Sequence, residues 1–145
     1  MSKYLTEHFS LEEMTHSAMG SRRGMKNEPD EVQVENLKAL CENVLEPLRE
    51  HLGTPVRINS GFRSKEVNKL VGGKDNSQHL RGQAADLMVH NTQEIIRMMH
   101  FIMDETDFDQ LILERNKWGS QWVHVSHKRD GGNRHQVLSR PFSYS

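Results

Sequence analysis

From Ser77 to Asp86 the chain reads Ser-Gln-His-Leu-Arg-Gly-Gln-Ala-Ala-Asp, which sets an imidazole and a carboxylate on either side of a glycine turn and runs straight into an apolar strand. Fully extended, this segment would hold His79 and Asp86 roughly 23 Å apart. Both reach one ion only if the backbone folds back between them, and Gly82 permits that reversal. Alternation over Gln83 to Val89 puts Ala84, Asp86 and Met88 on one face and Ala85, Leu87 and Val89 on the other. An ionised carboxylate in such a strand requires a counter-charge, a metal or a dense set of donors. Zinc with His and Asp ligands meets that requirement. The ten residues alone also admit a plainer reading, in which Asp86 accepts from Arg63 or Arg81 and His79 is a turn histidine.

A second set of reactive side chains lies further on. Asp109 to Glu114 and Gln121 to Ser126 alternate strictly and are joined by the polar turn Asn116-Lys-Trp-Gly119, the pattern of an antiparallel hairpin. One face carries Leu111, Leu113, Val123 and Val125; the other carries Gln110, Ile112, Glu114, Trp122, His124 and Ser126. With the turn centred near Lys117 and Trp118, Glu114 falls opposite Trp122, one pair along from His124 and on the same side. His124 is then a third candidate ligand, and Glu114 a carboxylate close enough to act on a water at the metal. Taken singly, His124 reads sooner as a satisfied strand histidine and Glu114 as a solvated hairpin acid. Asp109 is too far along the strand to compete. Arg63, in Ser60-Gly-Phe-Arg-Ser64 at the end of a strand, can clamp a substrate carboxylate or polarise a carbonyl as a bidentate donor, or it can simply pair with Asp86 or another acid.

These groups must be carried by a small mixed fold. Phe9-Ser10-Leu-Glu-Glu13 is a capping-box signature for a helix over Leu11 to His16, followed by an exposed loop from Ser17 to Glu28. Val34, Leu37, Cys41, Val44, Leu45 and Leu48 recur at helical spacing between Asp30 and Leu52, with Pro47 set to kink or interrupt the helix. Pro55 to Asn59 reads as a strand, Lys65 to Leu70 as a helix, and Thr92 to Asp104 as a helix capped by Asn91 that buries Ile95, Ile96, Met99 and Ile102. A short strand near Gln136 to Leu138 ends the chain's regular structure. His127 and His135 receive no role.

At 145 residues the chain is expected to form a single domain, 1–145, around one core. Lysine plus arginine (19) nearly balance aspartate plus glutamate (20), so there is no basic field of the kind that nucleic acid requires. The lone cysteine, Cys41, has no internal disulfide partner. The polar start Met1-Ser-Lys-Tyr-Leu-Thr-Glu-His8 lacks the apolar run of a signal peptide, and no stretch approaches the length of a membrane span. The expectation is a monomer made in the cytoplasm.

Ser77-x-His79-x-x-Gly82-x-Ala84-x-Asp86, preceded by Ser60-Gly-Phe-Arg63 and followed by Trp122-Val-His124, resembles the zinc peptidase family of D-alanyl-D-alanine carboxypeptidases, vancomycin-resistance dipeptidases and bacteriophage L-alanyl-D-glutamate endopeptidases. The resemblance is strongest from Ser60 to Asp86, and Phe9 to Leu52 is similar to small phage-type members. It implies an α+β, hedgehog-like fold with helices packed on a small antiparallel sheet. One zinc ion would be held by His79, Asp86 and His124, with a fourth position left for water, and Arg63 would bind or polarise the substrate. The implied substrate is a peptidoglycan stem peptide, cut by an endopeptidase or D,D-carboxypeptidase of the endolysin type that is phage-delivered or holin-released to the cell wall or periplasm.

One position departs from that pattern. Many relatives place the catalytic acid three residues before the last histidine ligand, where this chain has Gln121, so Glu114 is the expected base. Gln121 remains a candidate for orienting water or substrate, Trp122 and the Gly72-Gly73-Lys74 segment for lining the cleft, and Ser77 and Gln78 for shaping the ligand loop beside the substrate. The alternative is a non-catalytic zinc-containing peptidoglycan-binding or virion structural module.

Overall fold

A computed structural model describes residues 3–141; Met1 and Ser2 of the polar amino-terminal segment and residues 142–145 lie outside it. Ser10 opens helix α1 (Leu11–Thr15) through the expected capping box, its hydroxyl accepting from the Glu13 N–H while Glu13 reaches back to the Ser10 N–H. The segment expected to be loop from Ser17 contains a further helix, α2 (Ala18–Arg22). A cap and a tertiary contact build it: the Ser17 hydroxyl caps the Gly20 N–H at 3.1 Å, and the bare Gly20 backbone lies close against Val67.

Helix α3 (Glu31–Leu40) starts at a second capping box, Asp30 with Gln33. It continues through a π-helical turn, Cys41–Leu45, into α4 (Glu46–Leu52). Pro47 therefore widens the helix rather than breaking it. The π turn sits where the proline ring would crowd the carbonyl four residues earlier, at Asn43. Leu37, Leu40, Cys41, Val44, Leu45 and Leu48 are all fully buried. This is the face that the periodicity marks.

Five strands form one sheet in the order β1 (Ile58–Ser60), β2 (Ala84–Met88), β4 (Gln121–Ser126), β3 (Gln110–Arg115), β5 (Gln136–Pro141). The first strand is shorter and later than the expected Pro55 to Asn59. The sheet is also mixed rather than antiparallel, because β5 runs parallel to β3. It reaches the sheet edge after a long excursion through residues 127–135, and the Gln136 N–H joins it to the Asp109 carbonyl at 2.9 Å. Between these lie helix α5 (Lys65–Leu70) and, after β2, helix α6 (Thr92–Glu105). On α6 the buried residues are Ile95, Met98 and Ile102, while Ile96 is 49% exposed. A helix stripe centred on 95, 98 and 102 leaves 96 on the flank, which corrects the expected set.

The core gathers Ala85, Leu87, Leu111, Val123 and Val125 from one sheet face with Leu37 of α3, Leu45 of the π turn, Leu48 of α4, and Met98 and Ile102 of α6. Alternation then dictates that Asp86, Ile112, Glu114, Trp122 and His124 stand on the other face. No helix among the described residues is long and apolar enough to cross a membrane.

Candidate metal centre

The register of the sheet builds the site. Asp86 on β2 is the direct cross-strand neighbour of His124 on β4, and Glu114 on β3 lies opposite Trp122, as the hairpin pairing requires. On the other side of β2, both Ile58 and Ser60 pair across a bulge, so Ser60 comes beside Asp86.

His79 arrives from a short 3-10 turn, Gln78–Arg81, which Ser77 caps by accepting from the His79 N–H at 3.2 Å. The turn ends at Gly82 in the left-handed conformation (φ 73°), and a Cβ there would stand 2.5 Å from the Gln33 carbonyl. Only glycine fits both the backbone and the space. Helix α3 holds the same loop through Gln33 Nε2 donating to the Leu80 carbonyl and Asn36 Nδ2 to the Arg81 carbonyl. The chain thus folds back between His79 and Asp86 because its reversal is clamped to a helix end.

The imidazole of His79 is fully buried, and its Nδ1 lies 2.7 Å from the Gly61 carbonyl. A carbonyl only accepts, so Nδ1 carries the proton and Nε2 presents a lone pair. Burial, the largest influence, favours the neutral ring, against the pull of the Asp86 charge. That Nε2 has no hydrogen-bond partner, yet it stands 3.3 Å from Asp86 Oδ1. A lone pair facing a carboxylate oxygen in a buried site is a contact that a cation resolves.

His124 Nδ1 lies 2.9 Å from the same Oδ1. The donor atoms of His79, Asp86 and His124 all fall within 4.8 Å of one another. Four donors at about 2.1 Å from a tetrahedral ion stand roughly 3.4 Å apart, so the three positions match one ion with room for a further ligand. Among the described residues, no fourth His, Cys, Asp or Glu joins them in that cluster. Burial opposes a charge on Asp86, but His79 and His124 together hold its carboxyl well below the usual carboxylate range. The donor set is N, O, N with its acid ionised, as a divalent ion requires.

Arg63 is buried and makes three contacts: Nε donates to Ser60 Oγ at 2.9 Å, one terminal nitrogen to Asn68 Oδ1 at 3.2 Å, and the other to Asp86 Oδ2 at 3.3 Å. Arg63 therefore does pair with Asp86. It also forms the wall of a cleft of about 300 Å³ with Asp86, Trp122, Ser17, Val67 and Val71. Glu114 is fully buried, its Oε1 accepting from Trp122 Nε1 at 3.2 Å and lying 3.6 Å from His124 Nδ1.

Gln121 does not join these groups. It lies beside Leu113, Ile95 and Met99 in a cleft against α6, on the opposite side of the sheet, so its expected contact with substrate is corrected. Gln78 donates to Asp109 Oδ2 at 3.0 Å and to Gln83 Oε1 at 3.3 Å, which bends the ligand loop toward β3. Asp109 is held by Arg134 and takes no part in the cluster. Several supports have no sequence signal of their own: the Gly61 carbonyl, Ser60 Oγ, and buried Asn68, five residues after the arginine it orients. Gly61 reaches His79 because a Cβ there would lie 2.3 Å from the Met14 carbonyl, and glycine removes it.

With this geometry in hand, comparison with known proteins is decisive for the family. The chain matches the description of peptidase M15 over residues 7–126. It belongs to the peptidase M15 family. It is also similar to the zinc D-Ala-D-Ala carboxypeptidase of Streptomyces albus G, 48% identical over 44 residues, which is 30% of this chain and 17% of that protein. The matched M15 stretch takes in every one of the residues gathered above, from Arg63 to His124.

Proposed function

We propose that this M15 chain is a zinc peptidase that hydrolyses an amide bond in peptidoglycan stem peptides, on a hedgehog-like fold, as a phage-type lytic enzyme acting at the cell wall. The observation that carries this is the buried Nε2 of His79, turned without a proton or a partner toward Asp86 Oδ1 in a cluster that His124 completes. The three side chains would hold the ion. Zinc held there would supply Lewis acidity, activating water and polarising a carbonyl.

The protein's own groups supply the rest. Glu114, fixed by Trp122 Nε1–H beside His124, takes the proton from the attacking water and delivers one to the leaving amine. Arg63 orients Asp86 through its Oδ2 and presents its guanidinium to the cleft, where it shares negative charge developing on the substrate carbonyl. Ser77 has its hydroxyl committed to the His79 N–H and serves the loop. The glutamine at position 121 weighs little toward a non-catalytic module, because that side chain lies across the sheet from His79, Asp86 and His124.

Digestion of purified peptidoglycan, followed by mass spectrometry of the muropeptides, tests the proposal. The expected result is new amino termini at one bond, lost with a chelator and restored by zinc. No release of amino groups by the zinc-loaded protein overturns the hydrolase reading.

A further inference from the structure

The metal cluster borders two cavities that share no wall residue: Asp86 lines the cleft with Arg63, and His124 lines a second cavity of about 340 Å³. The chemistry above makes no use of the second. Its wall carries Lys74, Arg81, Lys128 and Arg134 and, among the described residues, no aspartate or glutamate. In a chain whose net charge is −1, that is a local concentration of cations rather than a bias of composition.

Two of these cations, Arg134 and Lys128, are placed by a buried anchor. Asp109, fully buried, receives both Arg134 Nε and a terminal Arg134 nitrogen at 2.9 and 2.8 Å, and lies 3.8 Å from Lys128 Nζ. One carboxylate behind the wall does not neutralise four cations in it. The same carboxylate takes the amide nitrogen of Gln78, which lines the cavity and whose Oε1 is buried without a hydrogen-bond partner. The nitrogen rather than the oxygen must face Asp109, which ties the Gln78 loop to the same anchor. The cavity therefore offers charge for an anion.

We infer that this cavity is a subsite for a carboxylate of the substrate, placed next to the bond that is cut. The inference rests on the peptidase reading: a peptide whose scissile carbonyl lies at the metal cluster extends into both cavities, and the anionic groups of a stem peptide are carboxylates. Two sources share this chemistry, the α-carboxylate of a γ-linked D-glutamyl residue and the terminal carboxylate of the peptide. Charge-assisted hydrogen bonds from lysine and arginine recognise either.

The test uses the full zinc-loaded chain and three synthetic pentapeptides of sequence L-Ala-γ-D-Glu-L-Lys-D-Ala-D-Ala: one with both carboxylates free, one with the D-glutamyl α-carboxylate amidated, and one with the terminus amidated. Binding is read by calorimetry and hydrolysis separately by mass spectrometry. One amidation should weaken binding about tenfold to hundredfold, and which one does so names the source. The double variant Arg81→Gln, Lys128→Gln, altered at wall positions that leave Asp109 paired with Arg134, should abolish that difference. Equal affinity for all three peptides, no binding of any of them, or a preference that survives the double variant overturns the subsite. Selective binding without hydrolysis would instead sink the enzyme reading and leave the subsite standing.

Discussion

Removing zinc, and separately removing His79, should change stability in a linked way. At a free zinc concentration of 100 times Kd, an ion that binds only the folded state adds about 2.7 kcal/mol. For a chain of this size each kcal/mol moves the unfolding temperature by about 3–4 °C, so loading should raise Tm by roughly 8–11 °C. His79→Ala removes one donor of the cluster and leaves the Gly61 carbonyl buried without its partner at 2.7 Å. The unpaired carbonyl and the vacated volume together cost about 2–4 kcal/mol without metal, offset in part because Asp86 Oδ1 no longer faces a lone pair. The informative quantity is the difference between the two scans: the zinc-induced rise should shrink below about 2 °C in His79→Ala. Differential scanning calorimetry with zinc or chelator, at fixed protein concentration, measures it. An equal rise in the variant would refute the reasoning and move the ion to the group of exposed Glu7 and His8 with half-buried Glu46, where the separation of donor atoms also suits one.

Glu114→Gln keeps an acceptor for Trp122 but removes the base; kcat on peptidoglycan should fall by about 10²–10⁴-fold with zinc content unchanged, and a loss under about threefold in a stopped assay would assign the proton transfer elsewhere. Gly82→Ala places a Cβ 2.5 Å from the Gln33 carbonyl at φ 73°, costing about 2–4 kcal/mol by urea denaturation and weakening zinc; unchanged stability would show that the loop is not clamped to α3. Asp109 titrates at about 2 rather than 3.8: burial opposes its charge, but the hydrogen bonds from Arg134 and Gln78 outweigh it. Because the folded value is depressed, its contribution of about 2 kcal/mol is complete above pH ~4 and is lost as pH falls toward ~2. Asp109→Asn should therefore flatten the acid limb of stability measured from pH 4.5 to 2.5 by about that amount, and an unchanged slope would dissociate Asp109 from it.

The parts of the site that follow from period-two geometry are legible in the order of the residues. Asp86, His124 and Glu114 share a sheet face because each sits at the right parity in its strand, and the Asn116 turn fixes the register that brings 114 opposite 122. The capping box at Ser10 and the stripe of α3 and α4 are legible for the same local reason. What stays hidden depends on contacts between distant segments. The parallel docking of β5, the hold of Asp109 on Arg134, and the Gly61 carbonyl under His79 are tertiary facts that residue types do not announce. Helix α2 escapes the sequence pattern for another reason: a segment rich in glycine, serine and arginine has weak propensity, and its cap and its packing on Val67 override that.

The same parity explains why a glutamine where relatives carry an acid does not empty the site of one. Within a regular strand, a residue three places before His124 points to the opposite face, and Gln121 does so, toward α6. An acid that serves His124's face must come from an even offset on β4 or from the neighbouring strand. Position 122, at the even offset, is taken by Trp122, and the residue paired with it across the sheet is Glu114. The indole N–H then orients the carboxylate beside the histidine. One register thus turns Gln121 away from His124 and brings Glu114 to it, and a one-residue slip of β3 against β4 would remove Glu114 from the site.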